Sequence, residues 1–173
     1  MDRRCRHDRL SVVQPLVTWT LDGQTLILRR AARTDVAAIV ELLVADQLGT
    51  TRDGGPDLDP YYRAFAAIDT DPAQLLLVVT TDDGTMVGTA QVTFIPGLAR
   101  RGALRAQVEA VRIAAGHRSR GLGQAMLSWT ITEARRRGWG LVQLTTDKTR
   151  TDAHRFYQRF GFTASHEGLK LYL

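Results

Sequence analysis

Between Val108 and Met126 the chain reads VEAVRIAAGHRSRGLGQAM. An apolar, strand-like run gives way to a loop carrying Arg118, Gly121 and Gly123, and the loop opens into an amphipathic stretch from Leu122 to about Arg137. This junction constrains the fold more than any other segment, because it requires a strand that ends beside the start of a long helix. It also carries chemistry. A helix N-terminus presents N–H groups without intrahelical partners and a partial positive charge, and glycine lets the backbone approach a ligand. Arg118 and Arg120 add charge-assisted donors. The junction therefore predicts a site for a phosphate-bearing molecule. Two widespread glycine patterns do not account for it. A dinucleotide fingerprint needs glycine where Met126 stands, and a P-loop needs Lys then Ser or Thr where Gln124 and Ala125 follow Gly123.

The charge distribution agrees with an anionic partner. Lys and Arg total 23 against 18 Asp and Glu, a net charge of +5, and all the basic residues except Lys148 and Lys170 are arginine. GC-rich coding accounts for such a bias along a whole chain. The local field is more informative: residues 100–120 hold six arginines and a single acid, Glu109. At 173 residues, 44% hydrophobic and 24% charged, the chain is sized for one domain with its own core, and wholesale disorder is excluded. No apolar run approaches the length that crosses a bilayer. Cys5 is the lone cysteine, so an internal disulfide and a Cys-rich zinc site are excluded, and no metal is expected. The basic start, MDRRCRHDRL, lacks the apolar stretch of a secretory signal, so cytoplasmic residence is expected.

The remaining pattern supplies the surroundings of the junction. Residues 1–24 are polar and weakly patterned, and read as a loosely ordered extension ahead of a single domain over 25–173. Thr25–Arg29 reads as a strand, and Thr34 as the N-cap of a helix with Val36, Ile39, Val40 and Leu43 on one stripe. Residues 48–58 read as a loop, and Asp59-Pro60 as the start of a short helix presenting Tyr61, Phe65 and Ile68. Leu75–Thr80 and Met86–Ile95 read as a hairpin turning at Asp83-Gly84. Arg105–Ile113 and Leu141–Thr146 read as further strands, a short helix follows to Gly161, and the tail from Phe162 reads as a last strand or hairpin. This order predicts an α/β or α+β fold with a mixed sheet.

Two blocks of residues together resemble a known family. Arg118, Gly121 and Gly123 fit [Q/R]-x-x-G-x-[G/A], and about thirty residues on, Ala153, Phe156, Tyr157, Gly161 and Phe162 fit A-x-x-[L/F]-Y followed by G-F. In these blocks and their order the chain is similar to the GNAT superfamily of acetyl-CoA-dependent N-acetyltransferases. The segment from Glu109 to Tyr157 is also similar to small bacterial aminoalkylphosphonate N-acetyltransferases. The resemblance implies a mostly antiparallel central sheet flanked by helices, with acetyl-CoA bound as co-substrate where the sheet splays at its centre. It implies that Arg118, Ser119, Arg120, Gly121, Leu122, Gly123 and Gln124 hold the pyrophosphate, mainly by backbone N–H. It implies that Val111, Arg112 and Ile113 offer their backbone to the pantetheine arm. Tyr157 matches the tyrosine that protonates the departing thiolate. One position departs from the pattern: Arg150 stands where many members have an asparagine that contacts pantetheine, and Thr146 and Asp147 lie close enough in sequence to substitute.

An ammonium must lose a proton before its nitrogen can attack a thioester, and Glu109 is the candidate base. Plain strand alternation puts Glu109 on one face with Val111 and Ile113, and a bulge, common in this strand of the family, would break that count. The competing role for Glu109 is an ion pair with Arg105 or Arg112. His154, His166 and Asp147 are alternative bases, and His117 is expected to supply charge to the phosphate loop. The acceptor pocket is expected among Leu48–Asp53, Tyr61, Phe65 and Phe94–Leu98. Arg52, Arg100 and Arg101 point to an acidic acceptor, and Asp53, Asp57 and Asp59 to the opposite. Expected partners are a small-molecule amine and a second copy of the chain as a homodimer, without nucleic acid or membrane. A protein or peptide acceptor and a non-catalytic CoA-binding module are the alternatives.

Overall fold

The computed structural model describes residues 14–45 and 53–171. Six strands form one sheet in sequence order: β1 (Pro15–Leu21), β2 (Gln24–Arg30), β3 (Gln74–Thr81), β4 (Met86–Ile95), β5 (Arg105–Ile113) and β6 (Leu141–Leu144). Neighbours are antiparallel except β5 and β6, which are parallel. Among the described residues five helical segments accompany them: α1 (Val36–Val44), α2 (Asp59–Thr70), α3 (Ala99–Gly102), α4 (Leu122–Arg136) and α5 (Thr151–Arg159). The mixed, mostly antiparallel sheet expected from the sequence is present.

Strand alternation divides the core. Leu75, Leu77 and Val79 of β3, Ala90, Val92 and Phe94 of β4 and Ala106 of β5 pack with Leu122, Met126 and Ala134 of α4. Leu76 points the other way, onto Val36 and Val40 of α1 and Phe65 of α2. Each face thus takes alternate residues of a strand, as period-two geometry requires. The end of α4 is held by Glu133, whose carboxylate accepts from Arg136 and Arg137 at 2.7 Å each. Chiefly through Arg136, and against the effect of burial, its pKa is lowered to about 2. Arg137 also lies over the Phe94 ring, 4.4 Å from its centroid, and Phe94 packs on Trp139 at 4.6 Å.

The structure corrects several expectations. The sheet begins at Pro15, not Thr25, so part of the expected loose extension is strand β1, paired with β2 through the turn at Asp22 (φ 49°) and Gly23 (φ 75°). Thr34 does not cap α1. A 3-10 turn over Arg33–Asp35 precedes it, and the Asp35 carboxylate accepts from Ala32 N–H at 2.7 Å and from both Arg29 terminal nitrogens at 2.6 and 2.9 Å. Burial alone would raise the Asp35 pKa, but Arg29 and Ala32 outweigh it and the net shift is downward. After α5, residues 160–171 form no helix or strand, so the expected last strand is absent over this span. Leu169 and Leu171 alternate correctly for a strand but stay 95% and 87% exposed, so they bury no face that would offset the entropy of ordering it.

Candidate active site where two strands part

The pairing of β5 with β6 ends at Val108↔Leu144, while β5 runs on to Ile113 against β4 alone. From Glu109 onward, the edge of β5 turned away from β4 faces no strand among the described residues. The ladder to β4 is itself broken here. Its register shifts between Thr89 and Gln91, and Ala110 sits at φ 51°, a left-handed conformation costly for a residue with a Cβ. This is a bulge, and it resets the alternation of β5. Val108 and Val111, three apart, line the same small cavity with Met126 and Leu127 of α4. Glu109, next to Val108 and paired with Gln91, points to the opposite face. The expectation that Glu109 shares a face with Val111 and Ile113 is therefore overturned by the bulge.

The junction between β5 and α4 is built as the sequence suggests. A 3-10 turn over Ala115–His117 follows β5, and Arg118 Nε donates to the Ile113 carbonyl at 3.1 Å. Ser119 (φ 60°) and Gly121 (φ 83°) are left-handed, which points the loop into α4. The first helical bond is Ala125 N–H to Gly121 C=O at 2.9 Å, so the N–H groups of Leu122, Gly123 and Gln124 lie at the open helix start. His117 does more than add charge: its Nε2 meets Gln24 Oε1 at 3.0 Å and ties the loop to the first hairpin.

Gly121 and Gly123 differ in kind. Gly121 is required by its dihedral. Gly123 is not, and a Cβ there would meet only the tip of Phe156 at 3.7 Å, an ordinary contact. Nothing packed against it among the described residues explains a glycine inside the first turn of α4, where alanine is more favourable by up to ~1 kcal/mol. Close approach of a ligand does.

Helix α5 closes the site. Phe156 and Tyr157 line the cavity with Val108, Val111 and Gly123. Burial raises the Tyr157 pKa, partly opposed by the Arg150 and Arg112 charges, so the phenol keeps its proton through neutral pH. Arg112 Nη1 donates to the Val111 carbonyl at 2.9 Å, so a side chain already occupies one backbone group of this stretch. Beyond the end of β6, the Thr146 hydroxyl is buried and has no hydrogen-bond partner among the described residues.

Other expected residues fall elsewhere. Among the described residues Glu109 makes no ion pair, so the structural pairing with Arg105 or Arg112 is not seen. His154 Nε2 bonds the Asp147 carbonyl at 3.0 Å, which ties α5 to the loop before it. His166 is exposed and meets Ser165 Oγ at 2.8 Å. In the expected acceptor pocket, Phe65 is buried under α1 and Phe94 lies on the α4 face, so neither lines an open surface. The Tyr61 hydroxyl accepts from Gly54 N–H at 2.7 Å, and Leu48–Arg52 lie outside the described residues. Sequence reasoning missed the polar residues Gln91 and Gln107 beside Glu109, although the same period-two count carries them.

The model of the acetyltransferase (GNAT) family matches residues 36–162. The chain belongs to the GNAT acetyltransferase family. Two solved structures share its architecture. A transcriptional regulator from Bacillus halodurans C-125 aligns with TM-score 0.81 and 41% identity, over 86% of this chain and 99% of that one. A candidate acetyltransferase from Agrobacterium tumefaciens str. C58 aligns with TM-score 0.73 and 27% identity, over 84% and 99%. Over 49 residues, 28% of the chain, it is 45% identical to the aminoalkylphosphonate N-acetyltransferase of Salmonella typhimurium, and this match spans 32% of that relative. GNAT acetyltransferases use acetyl-CoA, and the chain's own features fit it: an open helix start and a Gly123 that its neighbours do not explain. Among the described residues no cluster of His, Cys, Asp and Glu could hold a metal ion, and no helix is long and apolar enough to cross a membrane.

Proposed function

We propose that this GNAT acetyltransferase moves the acetyl group of acetyl-CoA to the primary amine of a small molecule, by direct attack with both substrates bound. The observation that carries the reading is the cavity shared by Val111 of β5, Gly123 of α4 and Tyr157 of α5, at the point where β5 and β6 part. It joins the two sequence blocks at one place. The name of the Salmonella relative supports a small-molecule acceptor.

The residues divide the work. Arg118 to Gln124 hold the pyrophosphate with main-chain N–H groups and guanidinium charge. The edge of β5 over Val111, Arg112 and Ile113, beyond the pairing with β6, aligns the pantetheine arm, with Thr146 as an added contact. Glu109 takes a proton from the acceptor ammonium, directly or through water, and frees the nitrogen lone pair. A main-chain N–H of Val111 or a neighbour stabilises the oxygen of the attacked carbonyl. As the new C–N bond forms and the C–S bond breaks, Tyr157 gives its phenol proton to the leaving sulfur and recovers one from solvent. A thiol of pKa ~8.5 needs little help to leave at neutral pH, so Tyr157 accelerates the step without being indispensable.

The test is a melt of the purified protein with acetyl-CoA, against ATP and NADH at equal concentration. At ~100 times its dissociation constant a ligand stabilises by ~2.7 kcal/mol, a rise of several degrees for a domain of this size. A shift specific to acetyl-CoA, followed by amine-dependent release of free thiol without a stable acetyl-enzyme in the mass spectrum, is the expected result. No shift at millimolar acetyl-CoA, or an acetylated residue on the turnover pathway, overturns the reading.

A further inference from the structure

The face of the sheet opposite α4 changes character along its length. Under α1 and α2 it is apolar, with Leu76 and the fully buried Val78. One register further, the strands carry a polar row: Gln74 of β3 pairs with Thr93 of β4, Thr93 with Gln107 of β5, and Gln107 with Gln143 of β6. All four side chains are half-buried. Beside this row stands the pair Gln91 and Glu109.

The row is cross-linked. Gln74 Oε1 accepts from Gln91 Nε2 at 3.0 Å and from Thr93 Oγ1 at 2.9 Å, and Gln107 Oε1 accepts from Gln143 Nε2 at 2.7 Å. In this arrangement the Gln74 and Gln107 amide nitrogens remain as donors, and the Gln91 and Gln143 amide oxygens as acceptors. Packing does not call for this, since apolar side chains would cover helices or a sheet edge at lower cost than half-buried amides. The row instead offers a rigid, uncharged set of donors and acceptors across four strands, roughly 14 Å wide at ~4.8 Å per strand. It lies two residues from Glu109 along β5, or about 7 Å.

Resting on the acetyltransferase reading, we propose that this row binds the body of the acceptor. The acceptor class is an amine whose neutral hydrogen-bonding groups, hydroxyl or carboxamide, lie about 7 Å from the nitrogen that Glu109 deprotonates. The complementarity is with neutral dipoles, since the row itself is built of amides and a hydroxyl; Arg30, whose Nη2 donates to the Gln74 carbonyl at 3.1 Å, and Arg105, two residues before Gln107, stand at its margins. Gln107 and Gln143 are the specificity-determining residues, because they continue the row onto the two strands that part at the reaction centre.

Three acceptors separate the possibilities: 1-amino-1-deoxysorbitol, hexylamine and 3-aminopropylphosphonate. Each is assayed by thiol release with the native chain and with a Gln107→Met/Gln143→Met variant, which keeps side-chain length and removes the amides. The native enzyme is expected to favour the aminoalditol over hexylamine by tenfold or more in kcat/KM. In the variant the KM for the aminoalditol rises at least tenfold and the preference over hexylamine is lost, while the acetyl-CoA stabilisation stays as it was. Absence of acetyl-CoA stabilisation in the native chain overturns the acetyltransferase reading itself. With that stabilisation present, the present inference alone is overturned by preference for hexylamine or the phosphonate, by no release from the aminoalditol, or by an unchanged KM in the variant.

Discussion

The two faces of β5 follow opposite rules. Toward α4, Ala106 and Val108 are buried, and Val111 lines an apolar cavity with Tyr157. Toward α1 and α2, Gln107 and Glu109 are polar, and Glu109 is exposed. In a regular strand Glu109 would share a face with Val111. The bulge at Ala110 puts them on opposite faces, beside the stretch of β5 that β6 no longer pairs. One face is suited to hold a thioester arm in a dry setting, and the other to receive a charged, hydrated amine. In the proposed reaction this difference lets two substrates that need different solvents meet at one irregularity.

Mutations on each face test that division. Glu109→Gln on the polar face carries the largest expected effect, a fall in kcat of ~100- to 10,000-fold with acetyl-CoA binding retained. Unchanged turnover at saturating amine would break the comparison. Gly123→Ala on the cavity side is expected to weaken acetyl-CoA binding about tenfold or more by titration. The same change is expected to raise the melting temperature of the unliganded protein, since alanine favours the helix by up to ~1 kcal/mol and meets only Phe156. Affinity and stability should move in opposite directions, and a change in which both fall would assign Gly123 to packing.

Tyr157→Phe should lower kcat by about tenfold and leave acetyl-CoA affinity unchanged. Because burial raises the Tyr157 pKa, the phenol stays protonated until the pH passes above the ordinary tyrosine value near ~10. The native rate should therefore show no loss from this group between about pH 7 and about pH 9. A high-pH limb inside this range that disappears in Tyr157→Phe would sink the assignment. The smallest effect is expected from Ala110→Gly. It relieves a left-handed alanine at a cost of ~1 kcal/mol, so the melting temperature should rise slightly with activity preserved. A lowered melting temperature would show that the bulge is not under backbone strain.

Legibility followed how local each interaction is. The β5–α4 junction was readable because its elements are adjacent in sequence: strand, glycine loop and helix start determine one another within a few residues. The hairpin of β1 and β2 was also readable in principle, since Asp22-Gly23 is a strong turn signal flanked by Val17, Trp19 and Leu21. The polar N-terminal composition obscured it. The helix cap was misplaced because Asp35 is claimed by Arg29, a partner on the preceding strand that capping rules do not include. Phe94 was assigned to the acceptor side although its fate depends on Trp139 and Arg137, far along the chain.

The amino-acid sequence by itself determined the strand–helix junction, the cation-rich field around it and the paired blocks that mark a GNAT acetyltransferase. All of these rest on short-range backbone geometry and on residue chemistry. Which side of β5 each residue faces was decided only in three dimensions. Alternation is a count, and a single left-handed residue at Ala110 changes the count for everything after it. That residue is held in place by the register between β4 and β5, which is set by the whole sheet rather than by any segment of the chain.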